Sequence, residues 1–407
     1  MGSMIHHYGD KVKIWAPIEH IEASALQQIG IAARHPLLFQ HLAVMPDVHT
    51  GIGCTIGSVI PIKDAVIPAA VGVDIGCGCC AIKSTIQLDE LSPHFEKLFT
   101  SISQNIPTGF SHRQDRQMVV CHEFLEQTDI EEKLKEFQEQ YPGKDILPQL
   151  GTLGGGNHFI ELQVDEEGYI WIMIHSGSRN IGHKIATEAI DTAITLWRTC
   201  ATDQSTPKDM EYLPENSEEG QKYIFDMTFA LMFAKMNRLL MMKIIMGAIQ
   251  YEVPECRFGD MINIHHNYAA KEEHFGEEVW VHRKGATKAV SSALGIIPGS
   301  MGTSSFIVRG KDCANSFNSC SHGAGRTMSR TAARGRYHRK TKSFKTEGRL
   351  NVADFEKDMQ GIFTHDVDRN HLDEAPRAYK DIRDVMANQT DLIDIVEELQ
   401  PVFNIKG

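Results

Sequence analysis

The chain has 407 residues, 23% of them charged and 42% hydrophobic, with a formal net charge of -12 at neutral pH. That length supports a large buried core, in two or three domains or in one large domain. The acidic balance argues against a generic polyanion binder, and no apolar run is long enough to span a bilayer. Nine scattered cysteines, an odd number with no signal peptide ahead of them, point to free thiols in a reducing cytoplasm. Cys77-x-x-Cys80 matches a redox or zinc pattern, but no second such pair follows, so Cys80 reads as packing. Met1-Gly2-Ser3 before Met4 reads as an expression remnant.

In chain order, residues 22–34 carry apolar side chains at helical spacing and predict a first helix. Residues 41–45 read as a short strand running into the polar turn 46–51, where Asp47 either caps the turn or faces a substrate with His49. Residues 56–60 are β-branched and extended. The apolar run 66–71 then leads into Gly72-Val73-Asp74-Ile75-Gly76-Cys77-Gly78. Glycine permits tight turns and close approach, so Asp74 and Cys77 can point at one ion. A hydrogen-bonded turn and a buried thiol are the plainer alternative. A thiolate beside a carboxylate suits a borderline transition metal better than Mg2+ or Ca2+.

Helices are predicted over 95–102 and 118–140, joined by the loop 107–117. The glycine run 151–156 precedes an apolar strand. It lacks Lys-Ser/Thr and opens no helix, so it is neither a Walker loop nor a dinucleotide fingerprint, and its glycines would let backbone amides approach phosphate. Strand 169–174 delivers His175-Ser176-Gly177-Ser178-Arg179, a site loop or a satisfied core histidine. A helix over 185–198, an acidic loop over 201–220 and a long helix over 221–250 follow, the last with methionines as core filler. Strand 261–264 leads to His265-His266. Adjacent strand residues face opposite sides, so only one of the pair can reach a given ion. After strand 279–283, the loop 298–305 offers hydroxyls and free amides to an oxyanion or a ribose phosphate, or is a plain turn before strand 306–309.

His322 stands among small residues. It is a capping or core histidine, or a neutral imidazole able to attack phosphorus while nearby arginines hold the leaving phosphates. From Arg326 to Arg349 nine basic residues face the single acid Glu347. That island is a solvated loop or a seat for a phosphate chain. Residues 353–359 predict an amphipathic turn or two, and 379–399 a closing helix.

Asp74, Cys77, His158, His175 and His266 each sit in or beside a turn at the end of an apolar segment, and together they form an N/O/S donor set for one or two metals. The motifs PDVHTGIG, VGVDIGCG, GTLGGGNHFIE, MIHSGSR, NIHHNY, PGSMGTSSF, SHGAGRTMSR and AYKDI and the terminal KG occur in that order. From about residue 40 to the end the chain resembles the RtcB family of RNA-splicing ligases. The resemblance implies an α+β fold over residues 4–407, one large domain with mixed sheets and surrounding helices around a deep metal cleft. It implies a GTP- and Mn2+-dependent RNA ligase that joins a 3′-phosphate or 2′,3′-cyclic phosphate end to a 5′-hydroxyl end in RNA repair or tRNA splicing.

By the same resemblance, Asp74, Cys77 and His158 hold one manganese, and Cys77 bridges to a second held by His175 and His266. His322 is the nucleophile that becomes guanylylated. Asn157, Phe159, Glu161, Pro298, Gly299, Ser300, Ser305, Ala324, Gly325, Tyr379 and Lys406 surround the nucleotide, with Glu161 and Lys406 reading guanine. Asp47, His49, Arg179 and Arg330 face RNA ends. The partners implied are broken tRNA or rRNA, with no membrane; the protein is expected to be a cytoplasmic monomer, with helper factors left open. Cys79, Cys80, Asn180 and the basic stretch 334–348 depart from the family pattern and bear on substrate choice. A hydrolase that opens cyclic phosphates without sealing is the competing enzyme. A non-catalytic RNA-binding protein of the same fold is the third reading, and the intact His322 and ligand positions speak against it.

Overall fold

The apolar run Tyr169–Ser176 is short and rich in isoleucine, and it forms a strand buried along nearly all its length. Ile170, Ile172 and Ile174 pack with Met241, Met242, Ile245 and Ile249 of the long helix Glu218–Glu252. Trp171 and Met173 take the other face by the two-residue period of a strand, and pack with Ile296, Ile307 and Leu399. The computed structural model to which these contacts belong describes residues 5–113, 139, 146–200, 206–338 and 343–407. The helix expected over 118–140 lies outside these, apart from Glu139.

Tyr169–Ser176 is third in a seven-stranded antiparallel sheet. Its order is Ile262–His265, Gly78–Gln87, Tyr169–Ser176, Phe159–Val164, Ile393–Lys406, Ser305–Gly310 and Leu294–Ile297. A six-stranded sheet has the order His6–His7, Val12–Ile14, Leu42–His49, Ile56–Ile62, Glu277–Lys284 and Asn267–His274. Its pairs are antiparallel except Val12–Ile14 with Leu42–His49. The strands Ile262–His265 and Asn267–His274 belong to different sheets, and only His266 lies between them. The architecture is α+β, as expected.

The long helix starts three residues earlier than its apolar pattern implies. Ser217 caps it by accepting from the Gly220 N–H, and Glu218 and Glu219 complement the positive helix end. Tyr223, Met227, Ala230 and Phe233 pack with Ile181, Ile185 and Ala189 of the helix Arg179–Cys200, while the later turns cover the large sheet. A helix with two such neighbours is apolar on more than one face. Among the described residues no helix is long and apolar enough to cross a membrane.

Two backbone expectations fail. Residues 46–49, read as a polar turn, continue the strand Leu42–His49, and Asp47 is wholly buried in it. Pro46 has no N–H to donate, and the pairing with Ile56–Ile62 shifts register between Val44 and His49. Residues 379–399 do not form a closing helix. Only Ile382–Ala387 is helical, capped by Asp381, and the chain then enters the 14-residue strand Ile393–Lys406. Leu399, Phe403 and Ile405 are buried at strand period, but a register shift between Pro401 and Phe403 blurs that alternation.

Candidate functional site

Gly72 and Gly76 adopt φ of 92° and 75°, which allows residues 72–78 to turn sharply before the strand Gly78–Gln87. A side chain at Gly78 would collide with the Ile264 carbonyl, so the strand Ile262–His265 closes only against glycine here. Gly78 then pairs with both Ser176 and His265, and Phe159 pairs with His175. One residue beyond, the His266 N–H donates to the Cys77 carbonyl at 2.9 Å. Neighbouring strands therefore bring Cys77, His158, His175 and His266 to one edge.

The side-chain atoms converge. Cys77 Sγ lies 3.6 Å from His158 Nε2 and 3.2 Å from His175 Nε2. His175 Nε2 lies 3.3 Å from His266 Nε2, and His158 Nε2 lies 3.1 Å from Asp74 Oδ2. Two groups of ligand atoms result, Asp74–Cys77–His158 and Cys77–His175–His266, each within 4.8 Å and sharing Cys77. His158 Nδ1 sits 2.9 Å from the Leu153 carbonyl and His175 Nδ1 2.9 Å from the Asn157 carbonyl. These contacts place the proton on Nδ1 and turn the Nε2 lone pairs inward, the arrangement of metal-binding histidines.

Burial holds His175 and His266 well below the usual imidazole range, so both are neutral donors. Burial pushes the Asp74 carboxyl up, but its contacts with His158 and Cys77 and the charge of Arg179 outweigh it and hold the group below its usual range. Burial and the neighbouring Asp74 push the Cys77 thiol well up. A cation reverses that last preference, since a coordinating thiol is deprotonated. Two imidazole nitrogens 3.3 Å apart beside a sulfur and a carboxylate fit a borderline divalent metal.

His322 adjoins this cluster, with its ring centroid 4.8 Å from that of His266. Asp47 holds it twice: Oδ2 is 2.6 Å from His322 Nδ1 and accepts from the His322 N–H at 3.0 Å. Burial opposes the Asp47 charge, yet the His322 contact keeps the carboxyl below its usual range. Gly325 is glycine because a side chain there would strike the Asp47 carbonyl. Lys380 Nζ donates to the carbonyls of Pro46 and Val48, at 3.1 and 2.6 Å, and so holds the strand on both sides of Asp47.

The residues expected around a nucleotide meet in one cavity beside His322. Asn157, Phe159, Glu161, Pro298, Gly299 and Ser300 line it, as do Ala324, Gly325, Tyr379 and Lys406. Both Glu161 oxygens accept hydrogen bonds, from Gln163 at 2.6 Å and Asn404 at 2.8 Å. Burial pushes its carboxyl up to about 7, against the opposing pull of Gln163, Lys406 and Asn404.

The chain matches the family profile described as tRNA-splicing ligase RtcB over residues 28–407. The chain belongs to the RtcB family. It is 41% identical over 415 residues to the RNA-splicing ligase RtcB of Escherichia coli K12, covering 97% of each chain. It is 29% identical over 472 residues to the tRNA-splicing ligase RtcB of Nanoarchaeum equitans, covering 97% of this chain and 95% of the relative. Identity to the tRNA-splicing ligase RtcB of Archaeoglobus fulgidus is 30% over 458 residues, covering 95% and 92%.

Two residues stand elsewhere than the RtcB resemblance implies. Asp47 offers no surface to an RNA end, because it is wholly buried beneath His322. Ser305 lies behind the cavity wall, where its hydroxyl accepts from the Gly299 N–H at 3.2 Å and from Gln163 at 2.9 Å. His49, Arg179 and Arg330 remain at least partly exposed. Arg179 and Arg330 flank the glycine run: side chains at Gly154 and Gly156 would collide with their guanidiniums. Glu374 has no counterpart in the sequence reading. This buried acid binds Lys406 Nζ at 3.1 Å, Tyr379 OH at 2.6 Å and Arg326 Nη1 at 3.2 Å, and burial's upward push is outweighed by Lys406 and the arginines, which hold it at about 2. One acid among 53 acidic residues carries no pattern that could have marked it.

Proposed function

We propose that this RtcB-family chain is a GTP- and Mn2+-dependent RNA ligase that joins 3′-phosphate or 2′,3′-cyclic phosphate RNA ends to 5′-hydroxyl ends through a guanylate carried on His322. The observation that carries this reading is the Asp47–His322 hydrogen bond of 2.6 Å beside the two donor groups that share Cys77. With Nδ1 bound to Asp47, His322 turns its Nε2 lone pair to the cavity, as a positioned nucleophile requires. Asp74, Cys77 and His158 would hold one Mn2+, and Cys77, His175 and His266 the other. When bound, the metal supplies neutralisation of phosphate charge as a Lewis acid.

His322 Nε2 bonds to the α-phosphorus of GTP, and the bond to pyrophosphate breaks. Asp47 stabilises the charge that the ring acquires. The guanylate then passes from His322 to an oxygen of the RNA 3′-phosphate, breaking the N–P bond. The RNA 5′-hydroxyl attacks that activated phosphate, loses its proton, and releases GMP. Glu161 accepts from the guanine edge while Lys406 donates. Arg179 and Arg330, half-open beside the glycine run, face the RNA ends. The substrate is a broken tRNA or rRNA and the compartment is the cytoplasm, which suits the seven free cysteines of the described residues.

Incubating a cyclic-phosphate RNA with a 5′-hydroxyl RNA, GTP and Mn2+ is expected to yield the joined strand. Opened cyclic phosphate with no longer product would identify a hydrolase instead, and RNA bound but unaltered a non-catalytic binder.

Glu161 titrates near 7 because of burial, so it is protonated at pH 6 and an acceptor at pH 8. GMP affinity is therefore expected to be about tenfold weaker at pH 6 than at pH 8. Calorimetry of wild type and Glu161→Gln checks this; an equal pH dependence in both would remove Glu161 from guanine recognition.

The basic island forms the short helix Arg330–Arg334 and the hairpin Gly335–His338 with Ser343–Glu347. Its residues 339–342 lie outside the described residues. Arg336, Lys345 and Arg349 are exposed. Changing all three to glutamine is expected to weaken RNA binding and flatten the slope of log affinity against log salt by about 2, with guanylylation unchanged. Unaltered RNA affinity and slope would mean that this island is a solvated surface.

A further inference from the structure

The long helix Glu218–Glu252 sends two polar side chains into its otherwise apolar contact with the sheet. Asn237 and Arg238 are both fully buried. A buried amide and a buried guanidinium are tolerated only with partners. Their partners are the backbone and side chains next to the metal-ligand positions.

Arg238 Nη1 donates to the carbonyls of Gly76 at 2.9 Å and Ser176 at 2.8 Å. Its Nε donates to Asn263 Oδ1 at 2.8 Å, and Nη2 lies 3.2 Å from His265 Nδ1. Asn237 Oδ1 accepts from the N–H groups of Gly151 at 2.7 Å and Thr152 at 3.1 Å. Its Nδ2 donates to the Thr152 carbonyl at 3.0 Å, Ser176 Oγ at 3.2 Å and the Gly177 carbonyl at 3.3 Å.

Several of these contacts adjoin a ligand. Gly76 precedes Cys77, Ser176 follows His175, and His265 precedes His266. Thr152 precedes Leu153, whose carbonyl orients His158 and also accepts from Ser176 Oγ at 2.7 Å. Two consecutive residues of one helix thus hold all four ligand-bearing segments. The planar guanidinium matters for this: its donors point in fixed directions, so one side chain can set the separation of three strands. A lysine offers a point charge on a flexible stem and cannot hold the same set.

We propose that Asn237 and Arg238 are the positioning residues of the metal centre, fixing the spacing of the two donor groups that share Cys77 so that both can hold a cation at once. This rests on reading the Cys77 cluster as a metal centre. The role is different from adhesion in the core, because it predicts an effect on metal geometry beyond any effect on stability.

The test is titration of the metal-free full-length chain with Co2+ alone, without RNA or nucleotide. Thiolate-to-cobalt absorption and the ligand-field bands report affinity and geometry, and thermal unfolding reports stability. Arg238→Lys and Asn237→Ala are compared with wild type and with Arg283→Lys. Arg283 is an equally buried arginine bound to Glu272, Ser319 and the Phe317 carbonyl.

Arg238→Lys and Asn237→Ala are expected to bind Co2+ about 10- to 100-fold more weakly with shifted ligand-field bands. Arg283→Lys, destabilised at least as much, should keep the wild-type affinity and spectrum. Wild-type cobalt binding in both helix variants would overturn the positioning role alone, as would an equal loss in Arg283→Lys. Should Arg238→Lys fail to fold, Asn237→Ala decides the matter on the same readings. Absence of the thiolate band in wild type would remove the metal centre itself, and the positioning role with it.

Discussion

The sulfur of Cys77 sits where neighbouring strands end, and the candidate site depends on that convergence. It is a consequence of register. Gly78 faces Ser176 on one side and His265 on the other, and glycine is required because the Ile264 carbonyl occupies the space of a side chain. A one-residue slip in either pairing would turn the histidines to the wrong face. His266 is also the single residue between two strands of different sheets, so its position ties both sheets to the same point.

Around that point each buried acid has its own partner. Asp47 is matched by His322, Asp74 by His158, and Glu374 by Lys406 and Arg326. Glu161 differs, since its hydrogen-bond partners Gln163 and Asn404 are neutral, and burial prevails and pushes its carboxyl up to about 7. A chain with an overall charge of -12 can therefore present a cavity lined by Arg326, Arg330 and Lys406. Net charge describes the whole surface, and anion recognition depends on a few oriented groups. The segment Tyr379-Lys380-Asp381 shows how closely these roles are packed: the tyrosine lines the cavity, the lysine grips the strand of Asp47, and the aspartate caps a helix.

Much of this was legible in the sequence. The glycine-flanked Asp74 and Cys77, and histidines at the ends of apolar runs, marked candidate ligand positions because those residue types and turns leave local patterns. Strand alternation allowed only one of His265 and His266 to reach a given ion, the family resemblance pointed to His266, and the structure turns His265 toward Arg238 and Gly76. What escaped depends on contacts between distant segments. Asp47 lies 275 residues from His322, and nothing near it indicates that it is buried beneath that ring. Glu374 looks like any surface acid. Asn237 and Arg238 were hidden in a helix whose methionines and aromatics dominate its pattern. Residues 393–399, which open the strand Ile393–Lys406, read as the end of a helix because the register shift opposite Ile307 and Val308 breaks the period that would identify a strand.

The central claim is that an imidazole held by Asp47 carries a nucleotide beside a thiolate-bridged pair of cations. Intact mass of the full-length chain after exposure to GTP and Mn2+ tests it most directly. The account predicts a gain of one guanylate per chain, released by mild acid as a phosphoramidate is, and absent from His322→Ala. No gain in the wild type, or the same gain in His322→Ala, would contradict it.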